Sequence, residues 1–592
     1  MIRPFGRNSH SPVVAPRASN IFPALLAAVL SACGAPPSEG PRVTPPAPSA
    51  SASSEAPAET IPRTSDRFAV ASENETAVEV ARAVLEKGGT AADAAVAGMF
   101  VACAAHPASC GLGGGGAALV WDVSKKEALA LDFREAAPSG IKRSDYLTKN
   151  PAKGRRGLLV GVPGFVAGLG ELHRRGGKLP WSSVVTIAAD VVDAGIPLSP
   201  YMAQAFMWNS KWLAEDARAR TLGPSDADKR VGEKIKNAPL AAALRTIAEQ
   251  GAQSFYSGPL GDDFVESARA VGSRVIAGDL KSYQVGVRAP LRSSWGELDV
   301  LCMPPSSAGG ITVLQVLAMF DRADLTALDQ GTGGYVHALA EGFRAANQDR
   351  TLFVGDPDFT RTDTTLFDGD KMRARRAKIK MDSSNLPKAS SISESGTLSM
   401  VIVDEAGSAV SISASISSMF GAKIVSKSGY LLNDTLSEFN IDDYGMRAIN
   451  KGPNFARGRA RPVSSLIPAL VLSRGEPVLT LAASGGLRAP SAVTQVLFSL
   501  FAFDRTLAES IEAPRFHVAS SGALKLDPGL AGLSADLVAR GEVVDAKTPS
   551  FSSVVAVALR ARDGVRTLEP VFDPRKGGAV TIGRAETTAA TR

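Results

Sequence analysis

"SGTLSMVIVDEAGSAVSISASISS", Ser395 to Ser418, reads as a β-hairpin with an abrupt start. It follows a loose polar stretch, "KASSISESG". The spacing predicts one strand over 397–403, a three-residue loop Glu405-Ala406-Gly407, and a second strand over 409–417. Gly407 supplies the left-handed residue such loops favour. Pairing Asp404 with Ser408 places Thr397 opposite Ser415 on one face of the sheet. The second strand alternates Val410, Ile412, Ala414 and Ile416 with Ser411, Ser413, Ser415 and Ser417. One face therefore belongs to a core. The other is a row of hydroxyls, which by pattern alone reads as a solvent-facing side.

A second reading gives that row a chemical purpose. A threonine freed as a chain N-terminus carries its own base, because an α-amine with a pKa near ~8 can take up the hydroxyl proton at neutral pH. This requires cleavage of the Gly396–Thr397 bond. A glycine before the threonine lets the backbone distort for attack on its own carbonyl. The strand would then begin where the mature chain begins.

The 592 residues predict two domains or one large α/β body. At the N-terminus, Arg3, Arg7 and Arg17 precede the apolar run "IFPALLAAVL" and then "LSAC", ending at Cys33. The run is too short to span a membrane but suits an export signal over 1–32. Leu30-Ser31-Ala32-Cys33 resembles a lipobox, in which the cysteine is acylated, so a lipid-anchored protein of the cell envelope is expected. The plainer reading is a signal peptide with an incidental cysteine. Residues 33–67, rich in Pro, Ala and Ser, read as a disordered tether. Loss of 1–32 removes three Arg and no acids, leaving a formal charge of +3 from the +6 of the whole chain. Without a basic cluster interleaved with aromatics, nucleic acid is not an expected partner.

From Phe68 the pattern becomes dense. "ENETAVEVARAVLEKGG" has helical spacing and stops at Gly88-Gly89. Thr90 and Asp93 form a capping-box pattern for "TAADAAVAGMFVACAA", whose small apolar residues predict burial on most sides. Gly111, Gly113 and Gly116 match a dinucleotide fingerprint formally, but here a helix precedes the glycines and a strand follows, the reverse of what pyrophosphate binding needs. Close backbone packing explains them better. Cys103 and Cys110 could pair in an oxidising compartment or pack as free thiols. The five His form no metal motif, and no P-loop or G-x-S-x-G elbow is present. No cofactor is implied. In the C-terminal third, "LIPALVLS", "PVLTLAAS" and "SSVVAVALRA" read as strands, and "SAVTQVLFSLFAF" as a helix.

Several ordered segments resemble the γ-glutamyltransferase (glutathione hydrolase) family of N-terminal-nucleophile hydrolases. They are "ALDFREAAP", "GVPGFVAGLGELHRRGGKLPW", "MPPSSAGGITVLQVL", "HALAEGFRAANQDRTLFVGDPDF", "GYLLND", "RPVSSLIPALV" and "AASGGLRA". The resemblance implies an αββα sandwich in a proenzyme. Self-cleavage would divide it into a large chain, 68–396 after the leader and tether, and a small chain, 397–592, which stay associated. It further implies an acyl-enzyme formed from a γ-glutamyl amide such as glutathione, resolved by water or an amino-acid acceptor. By position, Thr397 matches the nucleophile and Ser415 the family's second threonine. Gly485 and Gly486 match the oxyanion amides. Ser464, Ser465 and Arg134 match the groups that hold the substrate α-carboxylate, although Arg134 could instead serve a structural ion pair. The departures fall at the amine end. The family usually has Asn at Ser417, Gln or Glu at Thr435, and Asp at Glu438, and Leu398-Ser399 replace Thr-His. The expectation is intact acyl-transfer chemistry with weakened grip on an α-ammonium. An acylase cutting glutaryl or related amides is the near alternative, and a tethered binding protein on an inactive fold the remote one.

Overall fold

The computed structural model describes residues 63–64, 66–141, 153–386, 396–440, 452–545, 552–562 and 565–584. The proposed leader, the lipobox and nearly all of the tether lie outside them. The compact unit runs from Thr60 to Arg592.

The hairpin forms as its turn dictates. Strands Gly396–Val403 and Ala409–Ser417 are antiparallel, with Thr397 opposite Ser415 and Met400 opposite Ile412. Gly407 takes φ +97°, and Asp404 N donates to Ser408 O at 2.9 Å. The register shifts by one residue between Gly396 and Thr397.

Around the hairpin runs a seven-stranded antiparallel sheet, in the order Ala579–Arg584, Asp66–Ser72, Gly396–Val403, Ala409–Ser417, Gly115–Asp122, Glu127–Phe133 and Gly286–Arg288. The Asp66–Ser72 strand begins two residues before Phe68. Its first residues are polar but engaged, with Leu568 N donating to Asp66 Oδ2 at 2.9 Å. A second seven-stranded sheet contains Val565–Phe572, Ser553–Arg562, Glu476–Ser484, Ala469–Ser473, Leu298–Cys302 and Leu291–Trp295, with Arg63–Thr64 at its edge.

Side-chain alternation sets the layers. Val401, Val403, Leu119 and Trp121 from the first sheet pack against Leu301, Leu470, Val555 and Val557 from the second. Leu398, Met400, Ile402, Val410 and Ile412 face the opposite way, into helices Glu75–Glu86, Ala91–Ala105, Phe165–Gly176 and Trp181–Ala194. Helices Gly309–Met319, Gly333–Phe353 and Arg488–Phe501 cover the outer face of the second sheet. The result is the four-layer αββα sandwich.

The serine row is therefore not solvent-facing. It points between the sheets, where Ser399 and Ser413 hydroxyls meet at 2.9 Å and Ser411 Oγ donates to Leu481 O at 2.7 Å. Hydrogen bonding is what allows these hydroxyls to be buried.

The first two helices follow their sequence signals. Asn74 caps the first through Ala77 N at 2.9 Å. Thr90 and Asp93 complete the capping box, with Thr90 N to Asp93 Oδ2 at 2.9 Å and Asp93 N to Thr90 Oγ1 at 3.2 Å. This second helix lies close on the hairpin. A Cβ at Gly98 would sit 2.8 Å from Met400 Cε. Truncating Met400 to Ala in such a core costs about 2–5 kcal/mol.

Cys103 and Cys110 form a disulfide that ties this helix to the loop behind the serine strand, whereas Cys302 is a buried free thiol. The loop makes direct contact there, with Ile416 N donating to Ser109 O at 3.1 Å. The glycines that follow are packing residues. A Cβ at Gly116 would approach Ser413 O to 2.4 Å, and one at Gly114 would approach Ser415 O to 2.4 Å.

Candidate active site

Thr397 sits at the open end of the hairpin, 6% exposed, in a pocket of about 260 Å³. Arg134, Ser415, Glu438, Ser464, Ser465 and Gly486 also line it. These residues come from five separate segments of both sheets and their loops. A larger void of about 630 Å³ lies beside the disulfide, lined chiefly by aliphatic and aromatic side chains such as Val192, Leu198 and Phe206. It brings no nucleophile together with a base.

Gly396 is confined. A Cβ on it would lie 3.0 Å from each of three carbonyl oxygens, those of Ala108, Ser417 and Ser418. Only glycine fits there without displacing backbone. Its own carbonyl oxygen accepts a short hydrogen bond from Ser415 Oγ, which also accepts from Ser417 N at 3.0 Å. Ser415 thus polarises the carbonyl that an attack by Thr397 would address.

Strand Glu476–Ser484 runs into Gly485 and Gly486, at φ +126° and +62°, just before helix Arg488–Phe501. That conformation suits glycine and turns the backbone sharply at the helix N-terminus. Among the described residues neither glycine N–H is bonded to another group. Free amides beside a helix N-terminus are suited to stabilising a developing oxyanion.

At the other end of the pocket the fully buried Arg134 guanidinium donates to Glu438 Oε2 at 2.5 Å and to Glu135 Oε2 at 3.3 Å. Tyr283 Oη fixes the Arg134 carbonyl at 2.8 Å. The ion-pair reading of Arg134 and its pocket-lining position thus both hold. Ser464 and Ser465 are buried, and Ser465 Oγ accepts a short hydrogen bond from Arg350.

Ser417, Thr435 and Glu438, where the resemblance implies contact with a substrate amine, are arranged differently from one another. Glu438 Oε1 accepts from Ser417 Oγ at 2.5 Å while its other oxygen meets Arg134, so its longer arm bridges the pocket wall. Ser417 has φ +74°, a left-handed conformation in which asparagine is tolerated better than serine. Thr435 does not line the pocket, and its buried hydroxyl lies beside the Glu135 carboxylate. Burial raises the Glu135 pKa, an effect the Arg134 charge opposes.

Sequence reasoning missed one group in contact with Thr397. The Lys576 ammonium, 6% exposed, donates to Thr397 O at 2.5 Å, Glu73 Oε2 at 2.7 Å and Ser484 Oγ at 3.1 Å. Glu73 also receives Ser484 Oγ at 2.5 Å and Ser399 N at 3.2 Å. Nothing in the local sequence around Glu73 ("FAVASE") or Lys576 ("FDPRK") marks either residue as buried.

Residues 77–583 match the gamma-glutamyltranspeptidase family. The glutathione hydrolase proenzyme of Pseudomonas aeruginosa is 30% identical over 554 residues, covering 89% of this chain and 96% of the relative. That of Bacillus subtilis is 27% identical over 539 residues, covering 86% and 90%. In fold, the chain is similar to the crystal structure of a cephalosporin acylase from Bacillus halodurans, with a TM-score of 0.77 and 22% identity over 90% of this chain and 99% of the acylase. The chain belongs to the gamma-glutamyltranspeptidase family of N-terminal-nucleophile hydrolases.

Proposed function

We propose that the chain is a proenzyme that cuts itself before Thr397 and then opens γ-glutamyl amide bonds, of glutathione or related compounds, through a threonine acyl-enzyme. The observation that carries this is the convergence of Thr397, Ser415, Gly486, Arg134, Ser464 and Ser465 on one pocket.

The freed α-amine takes the Thr397 hydroxyl proton, and Oγ attacks the amide carbonyl. The Gly485 and Gly486 amides hold the oxyanion. The ammonium then returns its proton to the departing amine, leaving an acyl ester. Water or an amino acid attacks that ester, the amine removes the attacker's proton, and it passes the proton to Thr397 Oγ as the ester C–O bond breaks and the product leaves. Arg134 and the Ser464-Ser465 pair orient the acyl group through its carboxylate.

The two chains would remain associated because they interleave. Asp66–Ser72 and Gly115–Asp122, of the large chain, flank the small chain's hairpin on both sides.

A second reading is favoured by the bridge from Glu438 to Arg134 and Ser417. It uses up hydrogen-bonding capacity that an α-ammonium would need, which suits acyl groups without an α-amine, such as glutaryl. Hydrolysis of γ-glutamyl and glutaryl anilides by the purified protein separates the two. Faster γ-glutamyl release supports the first reading, and a glutaryl preference overturns it. An inactive binding role would leave the buried Ser415–Gly396 contact and the unbonded glycine amides without a purpose.

Export and lipid attachment at Cys33 belong to the same proposal. The Cys103–Cys110 disulfide supports an oxidising compartment. Detergent partitioning of the full chain against Cys33→Ser tests the anchor, and equal partitioning would sink it.

A further inference from the structure

We propose that Lys576 is a positioning residue for the N-terminal amine of the mature small chain. Its ammonium, bonded to the Thr397 carbonyl oxygen and counterbalanced by Glu73, keeps that amine unprotonated and therefore able to act as the base. This rests on the reading above, in which Thr397 becomes a chain terminus, and adds to it a group that sets the proton affinity of that terminus.

An ammonium buried this deeply is costly unless it is fully paired. Lys576 has three oxygen partners, one from each structural part that meets at the nucleophile: Glu73 after the first strand, Ser484 at the end of a strand of the second sheet, and Thr397 itself. The aromatic ring of Tyr201 faces it at 5.2 Å. The carbonyl oxygen and the α-nitrogen of Thr397 are attached through one α-carbon. A cation on the former therefore lies within the ~4–6 Å over which a charge shifts a neighbour's protonation. A like charge there disfavours the ammonium form of the amine. Glu73 acts in the opposite sense but contacts Lys576 and the Ser399 amide rather than Thr397.

The remaining charged groups around the nucleophile are accounted for. Arg134 and Glu438 are paired with each other across the pocket. Arg488 donates to Gly485 O at 3.0 Å, behind the glycine turn. Asp434, which accepts from Ser418 N at 2.9 Å, is shifted by burial towards its neutral acid. His106, near Tyr201, is kept neutral by burial and by Lys576. Among the described residues, Lys576 is the cation in direct contact with Thr397.

A purely structural clamp would make any disruption of Lys576 or Glu73 harmful in the same way. Control of the amine predicts opposite signs. With Lys576→Met the amine loses a neighbouring cation and faces an unbalanced Glu73. Its proton affinity rises, and the acid limb of kcat/KM moves up by about one pH unit. With Glu73→Gln the cation is unbalanced and the limb moves down. Lys576→Arg keeps the charge and stays near the parent.

The experiment measures that limb on γ-glutamyl and glutaryl anilides for the self-cleaved parent and the three variants. Alongside it, the pH midpoint for acetylation of the Thr397 amine is read from the mass of the small chain's first peptide, which does not depend on knowing the acyl group. Opposite shifts for Lys576→Met and Glu73→Gln support the proposal. Unchanged limbs and midpoints, or shifts of one sign, overturn it. If Lys576→Met fails to mature, a Glu73→Gln midpoint at or above that of the parent still overturns it. A parent chain that is never cleaved exposes no such amine and removes the functional reading as well. A cleaved parent whose amine is indifferent to both variants removes only the role of Lys576.

Discussion

Ser415 Oγ donates to the carbonyl oxygen of Gly396, across the hairpin from Thr397 and at the point where the strand register shifts by one residue. In the proposed self-cleavage, one hydroxyl would contact the carbonyl that is cut and then lie beside the freed threonine.

Removing that donor should slow self-cleavage. Loss of a single preorganised oxyanion donor costs on the order of 10²–10³ in rate, so Ser415→Ala should accumulate uncleaved chain, and Ser415→Thr should mature near the parent rate. A time course of the uncut fraction by mass spectrometry checks this. Equal rates for Ala and parent would contradict it.

Gly396, at the proposed cleavage point, makes a separate steric prediction. Three carbonyl oxygens at 3.0 Å from a Cβ leave no room for Gly396→Ala without backbone movement, and such overpacking costs about 1–3 kcal/mol. The variant should melt lower and mature more slowly. An unchanged melting temperature would mean the cradle is looser than described.

Selectivity should follow the amine end of the pocket. Glu438→Asp shortens the arm that reaches Arg134, and Ser417→Asn places a side chain with more hydrogen-bonding groups in a left-handed position that asparagine tolerates. The double variant should raise the γ-glutamyl to glutaryl ratio of kcat/KM by about tenfold or more, the scale of one buried charge-assisted hydrogen bond. A ratio that stays put would place the determinant elsewhere.

A histidine near the nucleophile gives a pH prediction. His106 stacks on Tyr201 and is lowered to about 3, first by burial and second by the Lys576 charge. Its folded value lies below the ordinary 6.5, so the unfolded chain takes up the proton first. The stability His106 contributes is present above 6.5 and is lost as pH falls towards 3, by at most about 1.4 kcal/mol per pH unit. The melting-temperature gap between parent and His106→Gln should therefore narrow from pH 7 to pH 4.5. A constant gap would show that His106 does not titrate on unfolding.

Much of this was legible because it is local. The turn at Gly407 fixes the pairing of Thr397 with Ser415, and the Gly88-Gly89 stop and the Thr90–Asp93 capping box fix the first two helices. The serine row misled because alternation identifies two faces but not what covers each. Here a second sheet assembled from residues far along the chain covers it. Lys576 and Glu73 were hidden for the same reason. They lie 179 and 324 positions from Thr397 in the chain, and nothing in their neighbourhoods marks a lysine or a glutamate as buried. The bridge from Glu438 to Arg134 is likewise invisible in sequence, although Glu438 carries an extra methylene relative to the Asp usual in the family.

The most direct test of the account is the intact mass of the purified protein beside that of Thr397→Ala. Two chains that meet at Gly396–Thr397, the small one of 196 residues, are expected, with a single uncut chain in the variant. One uncut chain in both would contradict it.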